Sequence, residues 1–165
     1  MTPNFTFQTL RPLDELDYYD SRSVVLPVAV SPLEAWNLIM SERQPLLRLA
    51  FWLRDAISAS FGVKRIGGFS GMRRETVEVG DRLDFFLVEH VSSDVLVLTE
   101  RDRHLDVMTC VSTSDKTLAI TSSVVTHNAF GRAYMLPVGP AHKLIVNGML
   151  RRLKRRLCHA QIDAP

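Results

Sequence analysis

The chain reads as an α+β fold in which a curved antiparallel β-sheet wraps around one long C-terminal α-helix. Three observations predict it. From Leu83 to His127, β-branched, alternating segments follow one another across short polar turns. After them comes a single amphipathic helical stretch, roughly 140 to 159. Ahead of them, a valine-rich strand leads into two short helices.

Taken in order, residues 1–20 form an N-terminal arm, polar and acidic near Asp14, Glu15 and Asp17, and residues 21–160 a single domain. Arg22 to Val30 reads as the first strand, with Pro27 marking an edge or a bulge. Ser31-Pro32-Leu33-Glu34 is a helix start, with Ser at the cap, Pro at the first helical position and Glu at the capping-box position. That helix carries Ala35, Trp36, Leu38, Ile39 and Met40 and breaks near Pro45. A second helix is predicted from about Pro45 to Phe61, with Leu46, Leu49, Leu53 and Ile57 at helical spacing and Gly62 as its cap. In residues 62–82, GGFSG at 67–71 reads as a flexible connector and RRETVEV as a candidate strand.

The sheet is LDFFLVEHV, VLVLTER, HLDVMTCVSTS and TLAITSSVVTH, with turns at Ser92-Ser93-Asp94, Asp102-Arg103 and Asp115-Lys116. A turn on Asp115-Lys116 makes the numbers of facing residues sum to 231. One face of that hairpin then holds Leu105, Val107, Val111, Leu118, Ile120 and Val124, and this apolar face is assigned to the helix. His104, Asp106, Met108, Cys110, Thr121 and His127 fall on the other. Continuing the register puts Leu96, Leu98 and Glu100 inward, and a two-residue turn before them adds Leu83, Phe85, Leu87 and Glu89. In the closing helix, His142, Val146, Leu150, Leu153 and Leu157 form one stripe, starting at Gly139-Pro140.

Composition excludes several classes. Apolar residues at 46% and charged residues at 23% suit a globular domain, and 165 residues suffice for a core. The N-terminus lacks a basic segment followed by an apolar run, and apolar stretches are too short to span a membrane. Cys110 and Cys158 are too few for a disulfide framework, which favours free thiols and a cytoplasmic setting. The basic run Arg151, Arg152, Lys154, Arg155 and Arg156 has no interleaved aromatics, so it reads as a solvated helix face rather than a nucleic-acid surface.

The order of strand, two helices, antiparallel run and long helix resembles the START-like, helix-grip superfamily (SRPBCC). DRHLDV and VVTHNAFGRAYMLPVGPAHKLIVNGML resemble a mostly bacterial family known only as a domain of unknown function. The matching positions are Asp102, His104, Leu105 and Asp106, then His127, Asn128, Gly131, Arg132 and Tyr134, then Pro140 and His142. SPLEAW at 31–36 and LRDAI–FG at 53–62 are also similar. The resemblance implies a helix-grip fold and leaves activity open, since fold does not fix function.

Several side chains are candidates for chemistry. His104 and His127 face one another across the last hairpin with Asp106 beside them, but they lie on the polar face, and no metal site is expected. Glu89 and Glu100 point inward; each either serves as an acid or base with a raised pKa, or reaches out to solvent or an arginine. Arg132, Tyr134 and His142 gather at the strand-to-helix junction, where they either orient a ligand's polar group or brace the turn. Thr109 and Ser122 face one another inside, and Gly148 offers no side chain opposite them, so a gap is expected there. GGFSG has no nucleotide-binding context, and no G-x-S-x-G elbow occurs.

The leading expectation is a binding protein holding an apolar or amphipathic small molecule between sheet and helix, without cofactor. Alternatives are a cyclase- or lyase-type enzyme using an inward carboxylate or histidine, and a partner-binding domain without a ligand.

Overall fold

The computed structural model describes residues 7–42, 48, 55 and 68–162. Among the described residues the main elements are β1 (Tyr18–Val25), α1 (Pro32–Met40), β2 (Arg82–Leu83), β3 (Phe86–Val91), β4 (Val95–Arg101), β5 (Leu105–Ser114), β6 (Thr117–Thr126) and α2 (Ala129–Ile162). The six strands form one antiparallel sheet in the order β1-β6-β5-β4-β3-β2. It is curved and open and wraps the long helix, the helix-grip arrangement. The helix predicted for 45–61 lies outside the described residues.

Local chemistry accounts for the first helix. Ser31 accepts the Glu34 N–H at 3.2 Å, and Pro32 sits at the first helical position. Its buried face holds Ala35, Trp36 and Ile39. Buried Asn37 uses both ends of its amide on the 68–82 connection, giving to the Arg74 carbonyl at 2.7 Å and accepting the Arg74 N–H at 3.1 Å. RRETVEV is therefore anchored by a side chain and forms no strand. Nor is GGFSG a bare connector, because Phe69 packs into the core beside Trp36 and Phe86.

The β5–β6 pairing follows the 231 register throughout, from Leu105 opposite Thr126 to Ser114 opposite Thr117. The core lies where that register puts it, with Leu96, Leu98, Val111, Leu118 and Ile120 packed on Val146, Leu150 and Leu153 of α2. The opposite sheet face is partly covered too. Leu10 packs on Val95, Val97, Met108 and Cys110, and its N–H bonds to the Ser123 hydroxyl at 3.1 Å.

Three boundaries or faces differ from expectation. The first strand spans 18–25 rather than 22–30, because Tyr18, Asp20, Arg22 and Val24 alternate inward opposite β6 and the chain leaves the sheet before Pro27. The register of β3 shifts between Val88 and His90, leaving Glu89 as the extra residue of a bulge. Beyond it the faces swap, so Phe86 and Val88 point inward instead of Leu87 and Glu89. The long helix starts at Ala129, not near residue 140, and contains Pro137 and Pro140.

Two prolines inside a helix each forfeit a backbone bond and ordinarily cost about 3 kcal/mol or more. The junction supplies compensation. Asn128 caps the helix by accepting the Gly131 N–H at 3.0 Å and donates to the Arg103 carbonyl at 3.1 Å. From there Phe130, Tyr134, Val138, Ala141 and Ile145 run along one face at steps of four and three. At the far end, Arg156 donates to the Leu38 carbonyl at 3.3 Å and lies 3.8 Å from Glu42, and Arg152 lies 3.9 Å from Glu42. Part of the basic run therefore braces the end of α1. No helix among the described residues is long and apolar enough to cross a membrane.

Candidate functional site

Sheet and helix do not close completely. Between them lies a cavity of about 260 Å³. Val107, Thr109, Ile120, Ser122 and Val124 form its sheet wall, and Phe130, Tyr134, Val138, Ala141, Ile145 and Met149 its helix wall. Trp36, Phe69, Phe85 and Phe86 contribute an aromatic surface, and Glu100, Asp102 and His104 also reach it. The aromatic side chains contact one another, Phe69 lying 5.0 Å from Phe85 and Trp36 5.8 Å from Phe86 between ring centroids.

A polar chain runs into this apolar space. Ser122 Oγ lies 3.3 Å from His142 Nε2, and His142 Nδ1 lies 3.2 Å from the Tyr18 hydroxyl. Tyr18 is also 3.2 Å from the Gly139 carbonyl, which can only accept. Both Tyr18 contacts are hydrogen bonds at once only if Tyr18 donates to Gly139 and His142 Nδ1–H donates to Tyr18. His142 Nε2 is then the acceptor of the Ser122 proton. Burial pushes the His142 pKa down, with Arg22 adding to the effect and Asp20 opposing it. The imidazole is thus neutral at pH 7. Burial, reinforced by Asp20, pushes the Tyr18 phenol up to about 12. Asp20 itself is buried and takes Arg22 Nε on both oxygens, at 3.1 and 3.0 Å.

The structure sorts the residues singled out from sequence. Thr109 and Ser122 pair across β5 and β6 and line the cavity, as do Glu100, Tyr134 and His142. Glu100 stays inward, with Arg82 Nη1 3.6 Å away. Glu89 is a correction: the bulge sends it to the outer face, where it accepts from Thr99 at 2.8 Å and Arg101 at 2.9 Å. Burial alone would raise its pKa, but those two bonds outweigh it and hold the carboxyl below its usual value. Arg132 is exposed on α2, away from the cavity lining. Gly148 is also corrected. A Cβ there would meet only Arg152, at 3.6 Å, because position 148 lies about 200° around the helix from Val146. The expected gap exists, but Gly148 does not form it.

His104 and His127 are backbone neighbours, the His127 N–H bonding to the His104 carbonyl at 2.8 Å, yet their side chains part. His127 pairs with Asp106 at 3.0 Å on the outer face. His104 turns to the helix start, Nδ1 bonding Asn128 at 3.2 Å and its ring 4.6 Å from that of Phe130. Among the described residues, no three His, Cys, Asp or Glu side chains are grouped to hold a metal ion.

Sequence reading missed Tyr18 and Asp20. Both lie at the end of the stretch read as an N-terminal arm, and the signal that finds them is the period-two run Tyr18, Asp20, Arg22, Val24.

The junction between β5, β6 and α2 explains why its sequence is so particular. Asp102 Oδ1 accepts the N–H groups of His104 (2.6 Å) and Leu105 (3.0 Å), shaping the β4–β5 turn. A Cβ at Gly131 would collide with the His104 carbonyl oxygen, so only glycine lets the helix dock there. Residues 12–149 match the family described as "Protein of unknown function (DUF2867)". The chain belongs to that family. DUF2867 membership thus rests on a match that includes this junction. A solved structure of hypothetical protein jhp0584 from Helicobacter pylori is similar at 16% identity and a TM-score of 0.40, covering 85% of this chain and 90% of that one. No curated protein matches.

Proposed function

We propose that this DUF2867 protein holds a small apolar or amphipathic molecule in the cavity between the curved sheet and α2. One observation carries the reading. An apolar cavity carries a small polar patch, Ser122 and Thr109 with neutral His142 behind them. That combination, apolar walls with a few convergent polar groups, is how small-molecule sites achieve both affinity and orientation.

Mass spectrometry of small molecules released from natively purified protein tests this directly. Binding of an environment-sensitive hydrophobic dye gives the second arm. Ala141→Phe projects a ring into the cavity and is expected to abolish dye binding while circular dichroism stays unchanged. Gly148→Phe, on the far side of the helix, keeps it. Equal dye binding by a folded Ala141→Phe variant would overturn the proposal.

A second reading, proton transfer on the held molecule, is favoured by Glu100 and His142 reaching the same cavity. Acyl transfer through Ser122 is not favoured, because Ser122 lies mid-strand between β1 and β5, where its backbone belongs to the sheet rather than to an oxyanion site. Conversion of the copurified molecule by wild type, lost in Glu100→Gln or His142→Gln, would establish the enzyme; no conversion leaves a carrier or sensor.

A further inference from the structure

We infer that the molecule this cavity takes carries a hydrogen-bond donor at its polar end, an alcohol, phenol or amine, and is not a carboxylate or phosphate. The inference rests on the cavity reading and names its ligand class. Two independent features support it.

The first is the direction of the hydrogen bonds. Because the Gly139 carbonyl can only accept, the proton order runs from Ser122 to His142 Nε2, from Nδ1–H to Tyr18, and from Tyr18 to Gly139. The Ser122 proton is committed to His142, so the lone pairs left on its oxygen, at the buried base of the lining, are what Ser122 presents to the cavity. A ligand hydroxyl or N–H fits that oxygen; a carboxylate oxygen meets lone pair with lone pair. The arrangement also resists reversal by protonation, since the surroundings of half-buried His142 disfavour its charged form.

The second is charge. Among the described residues the acidic side chains that reach the cavity are Glu100 and Asp102; no lysine or arginine lines it. Among the described residues, two cations that act on lining residues are already engaged. Arg22 is bonded to both oxygens of Asp20, and Arg82 donates to the Phe85 carbonyl at 2.8 Å and faces Glu100 at 3.6 Å. An anion entering this space therefore loses its water and gains no counter-charge, which is strongly unfavourable. An ammonium has Glu100 and the aromatic rings of Trp36 and Phe86 along the same cavity. An uncharged alcohol has Ser122.

A matched set of naphthalenes separates these terms: 2-naphthol, 2-naphthylmethylamine, 2-naphthoate and unsubstituted naphthalene, each displacing a bound hydrophobic dye from the full chain near pH 7.5. Naphthol and the amine are expected to displace dye on the order of tenfold or more better than naphthoate. Ser122→Ala should bring naphthol down toward naphthalene, and Glu100→Gln should weaken the amine alone, with folding of each variant checked by circular dichroism. Naphthoate matching or exceeding naphthol overturns the inference while leaving the cavity intact. Failure of all four, naphthalene included, overturns the cavity reading and this inference with it.

Discussion

Two glycines on the same helix should respond in opposite directions to the same substitution. Gly148 is open: an added Cβ meets only the tip of Arg152, at 3.6 Å. Gly148→Ala should therefore express the ordinary helix preference for alanine, a gain of about 0.5–1 kcal/mol. Gly131 is closed. Its Cβ would collide with the His104 carbonyl oxygen and lie 3.2 Å from the carbonyl carbon and 3.3 Å from Thr126 Cβ. That carbonyl cannot swing aside, because it accepts the His127 N–H at 2.8 Å.

The helix start must move instead, straining the Asn128 cap that accepts the Gly131 N–H. Overpacking of this kind costs about 1–3 kcal/mol and a lost cap about 1 kcal/mol more. Alanine's helix preference offsets at most about 1 kcal/mol of that. Gly131→Ala should thus lose about 1–3 kcal/mol net. Urea unfolding monitored by circular dichroism reads both variants as shifts in midpoint at constant slope. A Gly131→Ala protein as stable as wild type would refute the close docking of helix on turn.

Other outcomes follow from the polar chain and the thiols. His142, with its pKa lowered in the folded state, binds a proton more readily when unfolded, so its contribution is complete above the unfolded value of about 6.5 and falls away as pH drops below it. Wild type should lose up to about 1.4 kcal/mol per pH unit more than His142→Gln in that window; parallel stability curves for the two would contradict the buried neutral imidazole. The groups acting on His142 there are Tyr18, Asp20 and Arg22. Tyr18→Phe removes the hydroxyl that joins Gly139 to His142 and should cost about 0.5–1.5 kcal/mol, read by thermal or urea unfolding. Alkylation should label Cys158 in the native protein and Cys110 only after unfolding, because Cys110 is buried under Leu10 and its pKa is raised by that burial. Rapid native labelling of Cys110 would place the arm elsewhere.

The parts of this fold that were legible are those where one periodicity governs. The β5–β6 register follows from Asp115-Lys116 and strict alternation, and it placed Thr109 opposite Ser122 correctly. The helix stripe His142, Val146, Leu150, Leu153 was equally readable. What failed failed locally. The bulge at Glu89 carries no glycine or proline to announce it, and one extra residue reversed the faces of Phe86–Val88. The start of α2 was hidden by Pro137 and Pro140, although Phe130, Tyr134 and Val138 already continue the stripe backward. Gly148 was misread against its own geometry, since two residues from Val146 is the far side of a helix.

The two docking glycines also bear on how the site is made. Gly131 seats α2 on the His104 carbonyl, and eight residues on, about 12 Å along the axis, Gly139 seats it against the Tyr18 ring. Two such contacts fix both the position and the rotation of the helix. His142 lies three residues beyond the second, less than one turn, so the rotation that the glycines set is what aims its imidazole at Ser122. A Cβ at Gly139 would stand 3.0 and 3.3 Å from two Tyr18 ring carbons, which can give way slightly where a backbone carbonyl cannot. Gly139→Ala should therefore fold with a loss smaller than that of Gly131→Ala, while displacing Tyr18 and loosening the chain that orders the Ser122 proton. On the ligand class inferred above, its signature is a reduced preference for naphthol over naphthalene in a protein whose circular dichroism is unchanged. Unaltered preference would mean that the sheet alone, and not the seating of the helix, sets the polar end of the cavity.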